Sequence, residues 1–415
     1  MAMSLLNGRT IFSATTVQLR DPLHRAAVRP LQAPGRLPGE VEQLYSSGGG
    51  RASVTRLNEQ AQGATDRYAA LDGLRGAAAI AVAAYHAAAL AGRQYVPGGY
   101  LAVDLFFALS GFVIAHAYDS RLADGLAPAR FMLMRLARFW PLYLLGLALG
   151  VLHQIGLLAT GNTFALDPPS LLMIVAAGVV FLPTALAPGA NLFPLNIPGW
   201  SLFVELLANA GFALFHRHLG NRVLFVCVLA GLAMLVPLCL WKGDADLGAR
   251  LPTLAGGLAR VLFSFPLGVL IYRQGWRVRR VPLWAMVLLV LAVLCLPVPA
   301  PARGLYDLLF IAIVSPLLVA AGSGVSPAGP AALWCERAGA VSYALYAIHR
   351  PLFALAAPLA KRVALHPALA TVAAVTGALI LATIADRRFD RPARRWLAMR
   401  FGIGREPVPR EATLP

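Results

Sequence analysis

Charge is scarce in this chain, and acid is scarcer than base. Only 13% of its 415 residues are charged, with 19 Asp and Glu against 36 Lys and Arg, whereas a soluble domain carries about 25%. An ordinary soluble globular protein is therefore excluded. Cysteine is thin as well. Cys227, Cys239, Cys295 and Cys335 are the four present. Three lie in apolar runs, where cysteine behaves as a small hydrophobe, and no two have the spacing of a zinc or redox motif. No metal site or disulfide framework is expected. The chain also has no P-loop, no Rossmann glycine pattern and no H-E-x-x-H, which leaves ATP hydrolysis, dinucleotide redox chemistry and zinc proteolysis without support. The formal charge of +17 comes with no RNP or zinc-finger signature, so nucleic acid is not expected as a partner.

What the chain has is apolar length: 58% of it is hydrophobic. Eleven segments approach the roughly 20 apolar residues a bilayer crossing needs: about 73–92, 101–118, 139–158, 170–188, 198–215, 222–241, 254–272, 282–299, 305–322, 338–359 and 368–385. The expectation is an all-α polytopic membrane helix bundle. Residues 1–70 contain no long apolar run and are expected to form a disordered cytoplasmic tail. Residues 71–388 would be the integral membrane domain and 389–415 a basic cytoplasmic tail.

Arginine placement sets the orientation. Basic clusters at Arg121–Arg138, at Arg273–Arg280 and at Arg387–Arg395 should face the cytosol. Both termini would then be cytoplasmic, which demands an even number of crossings. The conflict with eleven segments falls in 139–215, where two of three segments can span. The proline- and glycine-bearing stretch APGANLFPLNIPGW (187–200) is a candidate for a re-entrant or interfacial piece, tolerated only where it is buried in protein or lines a cavity. About ten transmembrane helices are expected.

Ionisable residues inside spans are costly and by default functional, the bland alternative being an interhelix hydrogen bond or a snorkelling anchor. In the first span, Arg75 and His86 are eleven residues apart. They therefore share one helical face, about 16 Å apart along the axis. A neutral histidine can take a proton or act as a nucleophile, or simply bridge helices. Asp104 lies near the outer end of the second span, with Ser110 deeper, where close packing is the better reading than nucleophilic chemistry. Arg135 and Arg138, three apart, share a face. They suit either bidentate phosphate binding or anchoring to anionic lipid. Ser201, Glu205 and Asn209 form an i, i+4 polar stripe, which could orient a histidine, shuttle a proton or serve a structural network. Ser342, Tyr346 and His349 again share one face, lining a cavity or packed and hydrogen-bonded.

Five stretches in this order, LDGLRGAAAIAVAAYHA, GGYLAVDLFFALSGFVI, RFMLMRLARFWPLY, LNIPGWSLFVELLAN and VSYALYAIHRP, resemble the membrane acyltransferase-3 family, bacterial-type integral enzymes that transfer acyl groups onto sugars and related acceptors. The resemblance implies roles. Arg75 and His86 match the family's functional pair, and Arg135 and Arg138 match its cytosolic arginines. It implies O-acylation, such as the O-acetylation of cell-envelope polysaccharide, with no bound cofactor. The donor would be acetyl-CoA or another acyl-CoA as co-substrate, and a sugar or glycan would be the acceptor. A bacterial inner membrane would be the location. On this reading His86, Arg75 and Glu205 are catalytic, Arg135 and Arg138 hold the donor, and Asp104, Ser110, Trp200, Ser201, Tyr346 and His349 contact substrate, with no metal. The run FDRPARR departs from the family pattern, with Asp390 where glutamate is usual and Ala393 in place of an aromatic residue. The competing class is a transporter or flippase for a lipid-linked sugar, which inverted internal repeats would favour. No second copy of the Arg75/His86 pattern occurs.

Overall fold

The computed structural model describes residues 68–363 and 365–403. Of the tail expected over residues 1–70, residues 1–67 lie outside them, as does the end of the C-terminal tail from 404, while Ala69 and Ala70 already belong to the first helix. The described residues are helical, with no β-strand and a single isolated bridge between Asn191 and Arg250. The helices are α1 (Ala69–Ala91), α2 (Ala102–Ala123), α3 (Pro128–Ala159), α4 (Pro168–Val179), α5 (Gly199–Phe215), α6 (Asn221–Lys242) and α7 (Leu254–Arg273). They continue with α8 (Leu283–Cys295), α9 (Ala300–Leu309), α10 (Ser315–Gly322), α11 (Gly329–Arg362), α12 (Pro367–Ala385) and α13 (Arg391–Arg400). One π-turn, Phe310–Val314, joins α9 to α10, and another, Asp386–Asp390, joins α12 to α13.

Among the described residues, seven helices, counted with their continuations, are long and apolar enough to cross a membrane: Ala69–Ala91, Gly99–Ala123, Pro128–Ala159, Asn221–Lys242, Leu251–Arg273, Ala300–Gly322 and Pro367–Arg400. The segment expected at 170–188 contributes only the 12 residues of α4, started by Asp167, whose carboxylate accepts the Ser170 N–H at 2.9 Å. At the usual rise that helix is about 18 Å long, short of the roughly 30 Å hydrocarbon core. The chain then runs without α-helix to Gly199, burying Leu192, Phe193, Leu195 and Asn196. Segment 282–299 likewise yields only the 13-residue α8. The 34-residue α11 has length to spare but carries the polar face of Ser342, Tyr346 and His349.

Small residues set the packing. A Cβ on Gly76 would sit 2.4 Å from Ala338 Cβ, and one on Gly73 would sit 2.6 Å from Cys335 Sγ. Helices α1 and α11 therefore touch almost backbone to backbone, and the same register carries on to His86 beside His349. The two helices run parallel. Helix α3 runs parallel to α11 too, with Phe139 against Tyr343 and Gly146 against Ala347. Helices α2 and α7 approach as closely: a Cβ on Gly111 would fall 2.0 Å from Phe265 O and one on Gly268 2.0 Å from Ala108 O. They are parallel, because Asp104 meets Arg260 and Asp119 meets Arg273. Helix α5 follows α2, placing Phe107 by Trp200, Ser110 by Glu205 and Asp119 by His216. The α9–α10 unit runs opposite to α1, since its end, Gly322, packs on Leu71 at the start of α1. Helices α1, α3 and α11 thus point one way and α2, α5, α7 and α9–α10 the other. One consequence is that Arg75, Arg121, Arg135, Arg138, Arg273 and the basic α13 collect at the same end of the bundle.

Candidate active site

The polar faces of α1, α2, α3, α5 and α11 converge on two cavities, one toward each end of the bundle. The first, of about 170 Å³, is lined at the basic end by Arg75, Ser110, Arg135, Arg138 and Glu205. Each guanidinium has a carboxylate nearby: Arg75 on Asp72 at 2.9 Å, Arg135 at 3.6 Å from Glu205, and Arg138 at 3.8 Å from Asp390. Ser110 donates its hydroxyl hydrogen to Glu205 Oε1 at 2.5 Å, so the serine positions the carboxylate and is not itself activated. Arg135 and Arg138 also lie over the rings of Phe139 and Tyr343, at 4.8 and 5.0 Å, which fixes their long stems against α3 and α11.

The second cavity, of about 410 Å³, is lined by His86 together with Tyr85, Trp200, Lys242 and Asp246. Val103 and Tyr346 line both cavities. The Tyr346 hydroxyl is 2.5 Å from Ser201 Oγ, and Ser201 donates to Pro198 O at 3.0 Å. Tyr346 is therefore the donor to Ser201, and this pair forms part of the partition between the two spaces.

His86 is held by a second imidazole. His349 is fully buried, and its Nδ1 lies 2.9 Å from Leu345 O and 3.0 Å from Tyr346 O. Carbonyls only accept, so in the neutral ring Nδ1 carries the hydrogen and Nε2 carries the lone pair. That Nε2 is 3.0 Å from His86 Nδ1, which must then be the protonated nitrogen of His86; it also points at Val82 O at 3.1 Å. The tautomer follows from partners that cannot donate. With Nδ1 committed on both sides, the lone pair of His86 is on Nε2, the nitrogen free for chemistry in the second cavity.

Residues 68–387 match the family described as "Acyltransferase domain". The chain belongs to the acyltransferase-3 family. It is 42% identical over 162 residues to "Protein 2 in picA locus" of Rhizobium radiobacter, covering 37% of this chain and 84% of that protein. It is 30% identical over 131 residues to "Exopolysaccharide production protein ExoZ" of Rhizobium meliloti (strain 1021), covering 31% of this chain and 38% of that one. No solved structure matches.

Within this acyltransferase, the residues singled out from the sequence divide. Arg75, Ser110, Arg135, Arg138, Ser201, Glu205 and Tyr346 meet at the first cavity, while His86 and Trp200 open onto the second. Arg75 and His86 share a helix face but not a chamber. Two residues expected to contact substrate do something else. Asp104 is fully buried and makes a bidentate pair with Arg260, 2.7 Å at its shortest; Arg260 also donates to Leu247 O and Tyr100 O, each at 2.9 Å. That carboxylate is consumed in joining α2 to α7. His349 reaches His86 and backbone carbonyls, as above, so it positions the histidine and does not present a polar atom to substrate. Asn209 folds back to donate to the Glu205 carbonyl at 2.7 Å. Asp390, the family departure, is buried and pairs with Arg394 at 2.6 Å as well as with Arg138.

The sequence reading missed Arg260. The signal was present, an arginine inside an apolar run, but it needed the knowledge that Asp104 was the partner. Also missed was the cluster Tyr100, Arg303 and Asp307. Here Tyr100 donates to Asp307 Oδ2 at 2.5 Å and Arg303 pairs with Asp307 at 2.8 Å, closing the bundle at the end away from the arginine-rich cavity.

Proposed function

We propose that this family member is an integral membrane O-acyltransferase that moves an acetyl or other short acyl group from acyl-CoA to a hydroxyl of a sugar or glycan. The observation that carries the reading is His86, its tautomer fixed by His349 and its free nitrogen turned to a cavity that adjoins an arginine-lined one. Support for the acceptor class comes from the name of the Rhizobium meliloti relative, an exopolysaccharide production protein. A ten-crossing topology with both termini cytosolic is supported by the helix directions: α4 is the piece that does not cross, whereas the segment holding the short α8 must, because α7 before it and α9–α10 after it point the same way. On that topology the arginine-lined cavity opens to the cytosol, where acyl-CoA is made.

Arg135, Arg138 and Arg75 then receive the phosphates of CoA. A space of about 170 Å³ is smaller than the roughly 300–1,000 Å³ of typical small-molecule pockets. It suits the slender pantetheine arm, with the nucleotide left at the mouth. The thioester advances between Val103 and Tyr346 to His86. There the acceptor hydroxyl oxygen adds to the thioester carbonyl as His86 Nε2 takes its proton. Collapse breaks the C–S bond, and the imidazolium returns the proton to the leaving thiolate, giving the ester and free CoA. His349 Nε2, accepting from His86 Nδ1–H, stabilises the imidazolium while it lasts.

The test uses membranes containing the full chain, radiolabelled acetyl-CoA and a polysaccharide acceptor. Label transferred to the polysaccharide in alkali-labile linkage supports the reading. Membranes that transfer no label beyond the level of vector controls, with the protein present and inserted, would overturn it.

A further inference from the structure

The wall of the second cavity carries more positive charge than its own carboxylates balance. Besides Lys242 and Asp246, it is lined by Arg250 and Arg350. Lys242, the last residue of α6, is engaged in a close pair with Asp244 of the loop that follows. Asp246 accepts from the Tyr85 hydroxyl at 3.4 Å. Among the described residues, neither the Arg250 nor the Arg350 guanidinium has an ion-pair or hydrogen-bond partner. This contrasts with the first cavity, where each of the three arginines has a carboxylate within 4 Å, and with Arg260 and Arg303, each paired. An arginine in a membrane-embedded bundle is expensive unless a counter-charge or water meets it. Arg350, half-buried and without a counter-charge in the chamber that holds His86, is open to an anion, and Arg250, exposed at the wall of the same chamber, adds a second guanidinium there.

Position sharpens the point. Arg350 follows His349 directly on α11, so it is fixed by the same helix that holds His86. It also lines a smaller neighbouring space of about 150 Å³ with His153 and Ile197, and Ile197 is shared with the second cavity. Arg350 thus stands between the chamber of the reacting nitrogen and a continuation of that chamber along α3. Arg250 comes from a different element, the loop after α6, where its backbone bridges to Asn191. An acceptor bound beside His86 would have both guanidiniums in the wall around it, with the Tyr85 and Trp200 rings available to stack on sugar faces.

We infer that the second cavity selects an anionic acceptor: a glycan whose carboxylate or phosphate is bound by Arg350 and Arg250 while a neighbouring hydroxyl is offered to His86. This rests on the acyltransferase reading of the site. The anion has two chemical sources, an acidic sugar in the glycan or the pyrophosphate of a lipid-linked sugar, and the assay separates them.

Two readouts on the purified full chain in nanodiscs keep this inference separable from the function above. The first is binding without acyl-CoA. It uses an oligouronate, its carboxyl-reduced neutral counterpart and an undecaprenyl pyrophosphate-linked sugar as probes. The second is acyl transfer from acetyl-CoA to the same three. The expected result is tighter binding of one or both anionic probes than of the neutral one. Which anionic probe wins identifies the source. Arg350→Gln and Arg250→Gln should each weaken that binding by about tenfold to a hundredfold, the scale of a lost charge-assisted contact. In transfer, the penalty should fall on the KM for the anionic acceptor and not on the KM for acetyl-CoA. Equal binding of neutral and anionic probes, or arginine variants that bind the anion as wild type does, would overturn the inference even if acyl transfer proceeds. Arginine-dependent binding with no transfer to any acceptor would uphold the site and refute the acyltransferase reading.

Discussion

His349 Nε2 lies 3.0 Å from His86 Nδ1, and the carbonyls of Leu345 and Tyr346 leave His349 only that nitrogen to offer. A buried imidazole thus fixes the tautomer of His86, as a carboxylate does in many hydrolases, and on the proposed mechanism it also steadies the imidazolium. It does so without bringing a formal negative charge into the bundle.

Replacing His349 with leucine should therefore lower kcat, by about 10²–10⁴-fold if the whole benefit of a correctly poised base is lost, with little change in the KM for acetyl-CoA. His349→Gln keeps a side-chain carbonyl that can accept from His86 Nδ1–H and should recover part of the rate. Steady-state kinetics of the two variants decide this. A glutamine variant no better than leucine would point to a packing role alone.

Arg135 and Glu205 face each other at 3.6 Å across the first cavity. Arg135→Ala should raise the KM for acetyl-CoA by about tenfold or more, the cost of one phosphate contact. Glu205→Gln, which keeps an acceptor for Ser110, should leave the arginine free and tighten donor binding. The check is donor titration at saturating acceptor; an unchanged donor KM in Arg135→Ala would return that arginine to a lipid anchor.

Asp104 and Arg260 are both fully buried. Asp104→Asn strands a guanidinium in the core and should cost about 3–5 kcal/mol of stability. The double variant Asp104→Leu with Arg260→Met removes both charges and should recover most of it. Thermal unfolding of detergent-purified protein measures both, and additive losses would contradict the pairing.

At Gly76 the neighbouring helix leaves no space, with Ala338 Cβ 2.4 Å from where a Cβ would stand. Gly76→Val must push α1 from α11 and so part His86 from His349. It should lose activity well beyond its loss of folded protein, whereas Gly92→Ala, at the end of α1 and with nothing near its Cβ position, should mainly show the mild strain of its positive φ. Specific activity per folded molecule, read against fluorescence-detected size exclusion, separates the two.

Apolar run length and arginine placement carried the helical class and the membrane reading, and both depend on local composition. The five motifs, through the family resemblance, singled out Arg75, Arg135, Arg138 and Glu205, which meet at the first cavity, and His86, which opens onto the second. Partnership was not legible. Asp104 looked like a substrate contact because its counter-charge, Arg260, lies 156 residues away, and nothing local distinguishes a paired carboxylate from an open one. His349 looked like cavity lining because the carbonyls that claim its Nδ1 belong to its own helix, while its other nitrogen meets a residue 263 positions away. The non-helical run before Gly199 was visible in its prolines and glycines. The shortness of α4 was not, because its residues are as apolar as those of a full span.

The most direct measurement is acyl transfer by His86→Ala in membranes where insertion and abundance match the wild type. The expected result is loss of label transfer from acetyl-CoA to the glycan, by about 10²-fold at the least. Transfer at the wild-type rate would contradict the assignment of His86 as the reacting group.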